Sequence, residues 1–152
     1  DATGQSFLPG GWYRSGDLGY LAGGELYVSG RMKDLIIIGG KNIYPQDIEA
    51  AASQVPGVHP GRVVAFGLFD TAAGTEEVAL VAEVDALGEA DREALAESVR
   101  QAVTRSTAVA LRRVHLVGAG WIIKTSSGKT ARAANRERYM EELATENTEI
   151  TE

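Results

Sequence analysis

The sequence has no cysteine, which excludes disulfides, thiolate metal sites and cysteine nucleophiles together. Imidazole is nearly as scarce. With only His59 and His115 available, neither a metal site nor a histidine-dependent triad is expected. No apolar run is long enough to span a bilayer, and the N-terminus is not signal-like. Positive charge is also in short supply. The net charge of −6 argues against binding nucleic acid or an anionic membrane surface, because both need a basic face. The absence of cysteine fits a reducing compartment, and a cytoplasmic location is the expectation.

What is present suffices for one domain, alone or with a shoulder of a neighbour: 152 residues, of which 44% are hydrophobic. The start at Asp1, without Met, suggests an excised piece. Residues 1–11 read as an irregular lead-in. Leu18 and Tyr20, then Leu26 and Val28, alternate on either side of Gly23-Gly24, which predicts a β-hairpin. The β-branched run Leu35-Ile36-Ile37-Ile38 predicts a short buried strand, ended by Gly39-Gly40. Pro45 can open a helix that Asp47 and Glu49 favour electrostatically and Pro56-Gly57 stops. Strands are expected over 62–69 and 77–85, with Val78, Leu80, Ala82 and Val84 on one face.

A helix over 89–106 carries Leu95, Val99, Ala102 and Val103 on one stripe. A last strand over 112–117 follows, and Thr130 could cap a final helix to about Leu143, before a frayed acidic end. His115 should lie on a strand's outer face, His59 in a turn, and Trp12 and Trp121 should act as packing anchors. Together these elements give an α+β fold, a short β-sheet flanked by helices with an N-terminal β-hairpin.

Lysine occurs only at positions 33, 41, 124 and 129, within two short segments, whereas arginine is scattered. Lys129 sits in Lys124-Thr125-Ser126-Ser127-Gly128-Lys129-Thr130, a small hydroxyl-rich loop suited to meeting a phosphate or carboxylate. Gly128-Lys129-Thr130 matches the end of a P-loop, but that motif needs a glycine where Ile123 stands, so it is rejected. Taken alone, the tripeptide also fits a solvated loop. Gly30-Arg31-Met32-Lys33-Asp34, running on to Tyr44-Pro45, reads either as a charge-protected edge strand or as a turn, strand and ligand-accessible glycine loop. In Tyr13-Arg14-Ser15-Gly16-Asp17, Asp17 is either a turn residue or an acceptor for two vicinal hydroxyls.

The order and spacing of these three segments resemble the adenylate-forming enzyme superfamily of acyl-CoA synthetases, peptide-synthetase adenylation domains and luciferases. The run Asn42-Ile43-Tyr44-Pro45-Gln46-Asp47-Ile48-Glu49, with its Lys-Asp-Leu-Ile-Ile-Ile lead-in, looks most like the fatty acyl-AMP ligase branch. The resemblance spans Trp12 to about Tyr139. Ser15 stands where Thr is usual, Ile123 where Pro usually precedes Lys124, and Gly39-Gly40-Lys41 where the branch often has Arg-Gly-Arg-like residues.

The resemblance implies that residues 1–32 are the last strip of a large adenylation domain and residues 33–152 a small mobile C-terminal domain. It implies that Asp17 and Arg31 contact a ribose, that Lys33 is the hinge, and that Gly39, Gly40, Lys41 and Asn42 face the acceptor. Lys129 would be the lysine inserted during adenylation. ATP and Mg²⁺ would belong to the full-length enzyme, with the fragment inactive alone and no metal held by its own residues. Partners would be the N-terminal domain, a fatty acid and the phosphopantetheine of an acyl carrier protein. The alternatives are the same domain of a CoA ligase or peptide-synthetase adenylation domain, and a non-catalytic interaction module.

Overall fold

The computed structural model describes residues 6–149, so part of the expected lead-in and the last three residues of the acidic end lie outside the described residues. Two short strands, β1 (Phe7–Leu8) and β2 (Trp12–Tyr13), pair antiparallel, so the lead-in expected to be irregular contributes one of them, β1. The predicted hairpin follows as β3 (Asp17–Ala22) and β4 (Glu25–Arg31), closed at Ala22↔Glu25 with Gly23-Gly24 as the turn. A 3₁₀ turn, Met32–Asp34, then leads into β5 (Ile36–Ile38) and β6 (Lys41–Ile43).

The isoleucine run is buried on one side only. Ile36 is inside, whereas Ile37 is exposed, because β5 pairs with β6 alone and one face of that ribbon meets water.

Helix α1 (Pro45–Ala52) opens on Pro45 as the sequence predicts and ends a few residues before Pro56. The main sheet consists of β7 (Val58–Asp70), β8 (Thr75–Val84) and β9 (Arg113–Val117), with β8 central, antiparallel to β7 and parallel to β9. Helix α2 (Glu89–Thr107) supplies the crossover that a parallel pair requires. Helix α3 (Arg132–Glu149) closes the chain and runs past Leu143. Thr130 does not cap it. That residue is instead bridged to Lys124, and Ala131 O accepts from Asn135 N.

Strand β8 explains the three layers. Val78, Leu80, Ala82 and Val84 point to one side, against Ile48 of α1 and Val99 and Val103 of α2. Ala79 and Val81 point to the other, with Phe66, Trp121 and Tyr139. Both faces are covered, so the strand is a continuous apolar run rather than an alternating one. The single inward charge on it, Glu83, is buried and accepts from Ile122 N at 2.7 Å. Trp121 is a packing anchor as expected, but Trp12 is 73% exposed. His115 is only partly exposed. Its ring lies 5.5 Å from that of Tyr139 and 6.3 Å from that of Trp121, on the face that α3 covers. His59 sits in β7 rather than a turn, with Nε2 3.0 Å from Asp85.

Candidate functional site

Strand pairing brings the first two expected site residues together. Asp17 begins β3, Arg31 ends β4, and the register sets them opposite each other, with Arg31 Nε 3.4 Å from Asp17 Oδ1. Both side chains are exposed, and an ion pair in that setting is worth only about 0–1 kcal/mol. The carboxylate can therefore turn toward other donors at little cost. Ser15 Oγ accepts from Asp17 N at 3.2 Å, and Gly16 O from Met32 N at 2.8 Å, so the approach to the pair is itself organised.

Lys33 lies within the 3₁₀ turn immediately after Arg31 and is exposed, whereas its neighbour Asp34 is anchored. Asp34 Oδ2 receives Arg132 Nη1 at 2.8 Å. The same guanidinium donates from Nη2 to Glu49 Oε1 at 2.7 Å and from Nε to Ala65 O at 2.9 Å. Glu49 in turn accepts from Ala65 N at 2.9 Å. Burial pushes the Glu49 carboxyl above the ordinary carboxylate range, while Arg132 pulls in the opposite direction. Sequence reasoning missed Arg132. It meets residues 83 and 98 positions away, a separation for which local patterning has no signal.

The Gly39–Asn42 stretch is a turn and a strand rather than an irregular loop. Gly39 and Gly40 adopt φ of 53° and 78°, the left-handed values a two-residue hairpin turn demands, and Lys41 and Asn42 belong to β6. The ribbon is pinned to the start of β8. Ile37 N donates to Glu76 Oε2 at 2.6 Å and Gly39 N to Thr75 Oγ1 at 3.0 Å. Beside it opens a cavity of about 490 Å³, with Gly39, Lys41, Glu76 and Arg112 among its walls.

Lys129 is carried on a small hairpin. Lys124 bridges Thr130, Thr125 N donates to Lys129 O at 2.7 Å, and Gly128 N donates to Thr125 O at 2.9 Å. Gly128, at φ 80°, supplies the left-handed residue that ends a three-residue loop of this kind. The hydroxyls serve the loop itself, with Thr125 Oγ1 accepting from Lys129 N at 3.2 Å and lying 3.0 Å from Ser127 Oγ. The Lys129 side chain is exposed, and no ion pair to it is found among the described residues. Nor does a hydrogen bond or ion pair among the described residues join it to Asp17 or Arg31.

No family model matches the sequence. Individual relatives do. The chain is 38% identical over 137 residues to 4-hydroxyphenylalkanoate adenylyltransferase of Mycobacterium tuberculosis, covering 86% of this chain and 21% of that protein. It is 38% identical over 136 residues to the long-chain-fatty-acid–AMP ligase FadD26 of Mycobacterium marinum, covering 86% and 22%.

Among solved structures, a fatty acyl-adenylate ligase from a study of the Escherichia coli and Legionella pneumophila enzymes superposes with TM-score 0.74 at 39% identity, over 90% of this chain and 24% of that one. The McyG A-PCP protein complexed with phenylalanyl-adenylate superposes with TM-score 0.83 at 26% identity, over 97% and 23%. The chain therefore spans about a fifth to a quarter of the proteins it matches.

These residues have the fold of the C-terminal domain of adenylate-forming enzymes. Within that class the chain matches the C-terminal part of fatty acyl-AMP ligases and adenylation domains.

Proposed function

We propose that this chain is the C-terminal portion of a fatty acyl-AMP ligase and that Lys129 acts in its first half-reaction. In that reaction a fatty acid carboxylate oxygen attacks the α-phosphorus of ATP. The bond to the β-phosphate oxygen breaks, pyrophosphate leaves with the bonding pair, and acyl-AMP remains. Two anions must meet, and an ammonium held between them offsets their repulsion and orients the attack. In the second step a phosphopantetheine thiol of a carrier protein attacks the acyl carbonyl, loses its proton and expels AMP.

One observation carries the proposal: the Lys129 amine stands exposed on a hydrogen-bonded hairpin, and no internal carboxylate among the described residues holds it. A lysine locked in a fixed ion pair could not serve. Asp17 and Arg31 fit the ribose in donor chemistry, since one offers only acceptors and the other only donors, at 3.4 Å from each other. Mg²⁺ would accompany ATP in the large domain.

In this reading residues 1–32 complete the large domain and residues 33–152 swing about Lys33. The outward-facing Trp12, Tyr20, Leu21, Leu26 and Val28 of the first strands support that division, because isolated strands seldom leave so much apolar surface in water. Gly39–Asn42 would face the acceptor once the swing removes Lys129 from the nucleotide. The fragment alone would be inactive.

Lys129→Ala in the full-length enzyme tests the assignment. Fatty-acid-dependent pyrophosphate exchange should fall by about 10²- to 10³-fold, the usual cost of one preorganised donor. Undiminished exchange would remove Lys129 from the chemistry. Offering coenzyme A and holo carrier protein in parallel separates the branches, since acyl-CoA as the product would assign a CoA ligase. Absence of exchange in the wild-type full-length protein would point to a non-catalytic module.

A further inference from the structure

We infer that Asn135 is a positioning residue for Lys129, because its side-chain amide ties together both limbs of the hairpin that carries the amine. This inference rests on the adenylation role of Lys129 proposed above.

Asn135 lies in the first turn of α3 and is wholly buried. An uncharged polar group in that position costs free energy unless its hydrogen bonds are made. Here three are made, all to the backbone at the hairpin's base. Oδ1 accepts from Ile123 N at 2.8 Å, while Nδ2 donates to Ile123 O at 2.9 Å and to Ala131 O at 2.8 Å. The amide pairs with both the N–H and the C=O of one residue, as a neighbouring strand would.

The incoming limb depends on such help. Residues 121–123 belong to no sheet, and side chains satisfy their backbone instead. Glu83 takes Ile122 N, Arg138 Nη1 donates to Trp121 O at 2.7 Å, and Asn135 serves Ile123. Of these three side chains, only Asn135 also reaches the outgoing limb, through Ala131. Ala131 N donates to Ile123 O at 3.0 Å and closes the base directly. The hairpin's tilt relative to α3 is thereby set at its base.

An amine on a long stem contributes to catalysis only if its Cα is held. A misplacement of about 1 Å can lower a rate by roughly 10²-fold. Asn135→Ala leaves Ile123 N without its side-chain partner and the hairpin's base tied to α3 by fewer bonds, so the hairpin is freer to tilt against the helix.

The test uses full-length enzyme and measures the half-reactions separately. With Asn135→Ala, kcat for acyl-AMP formation should fall by about ten- to a hundred-fold at little-changed KM for the acid. Transfer from supplied acyl-AMP to the thiol acceptor should stay within about twofold, since Lys129 is withdrawn in that step. Loss of both half-reactions together, or of neither, would overturn the positioning role. Should the alanine variant fail to fold, Asn135→Ser, which retains one polar group, must show the same split.

Lys129→Ala run alongside separates the two claims. If it leaves adenylation intact, the proposed function fails. If it abolishes adenylation while Asn135→Ala changes nothing, only the role of Asn135 falls.

Discussion

Replacing Arg132 with methionine is the sharpest stability test of this fold. The substitution keeps most of the stem and removes the donors that serve Asp34 Oδ2, Glu49 Oε1 and Ala65 O, at 2.8, 2.7 and 2.9 Å. The three side chains are largely inside, with Arg132 13%, Glu49 17% and Asp34 21% exposed. Breaking a buried pair by removing one partner costs about 3–5 kcal/mol, because the remaining charge is left uncompensated. Partial solvent access puts this case near the lower end, at about 3 kcal/mol, or roughly 6–12 °C in Tm for a chain of this size.

The loss should also depend on pH. Arg132 is what holds the Glu49 carboxyl down against the effect of burial, so without it the carboxyl rises further. A carboxyl raised in the folded state contributes stability that is fully present below its unfolded pKa and lost as pH climbs through the folded value. The Arg132→Met penalty should therefore grow as pH rises from the ordinary carboxylate range toward neutral, and urea denaturation at a series of pH values measures it. Arg132→Met combined with Glu49→Gln, which leaves no charge at position 49, should recover about 1–2 kcal/mol at neutral pH. A single-variant loss below about 1 kcal/mol, or a double variant no better than the single, would show that the fork does not support the fold.

Three further outcomes follow from the same geometry. Leu80→Ala, in the central strand between two apolar layers, should cost about 3 kcal/mol in denaturant titration, through lost transfer energy and the cavity left behind. Gly40→Ala meets no neighbouring atom but needs φ 78°, so it should cost about 1–2 kcal/mol from backbone strain alone, and a neutral result would mean that the turn relaxes. Lys129→Ala should change stability by less than about 0.5 kcal/mol because the side chain is exposed, so circular dichroism and thermal melts should match the unaltered protein.

Much of this protein could be read along the chain because the signals are local. The Gly23-Gly24 and Gly39-Gly40 pairs mark turns that only residues tolerant of positive φ can make, and Pro45 marks a helix start. The stripe of Val99 and Val103 and the alternation through Val78 to Val84 name the buried faces. The candidate-site segments around Asp17, Arg31 and Lys129 stand out by composition and spacing for the same reason. Local patterning could not report that both faces of β8 are covered, since that depends on where α3 packs. It also placed Trp12 inside and His115 outside, because exposure is a property of neighbours brought from far along the chain.

The side chains that bond to the base of the Lys129 hairpin and to Asp34, beside Lys33, emerged only from the folded chain. Arg132 joins Asp34 and Glu49 across 98 and 83 positions, and Asn135 reads in sequence as an ordinary helix residue. Residue type and spacing determine which groups can do chemistry. Hydrogen bonds closed by tertiary packing decide where those groups stand, because directional contacts form only once distant segments meet.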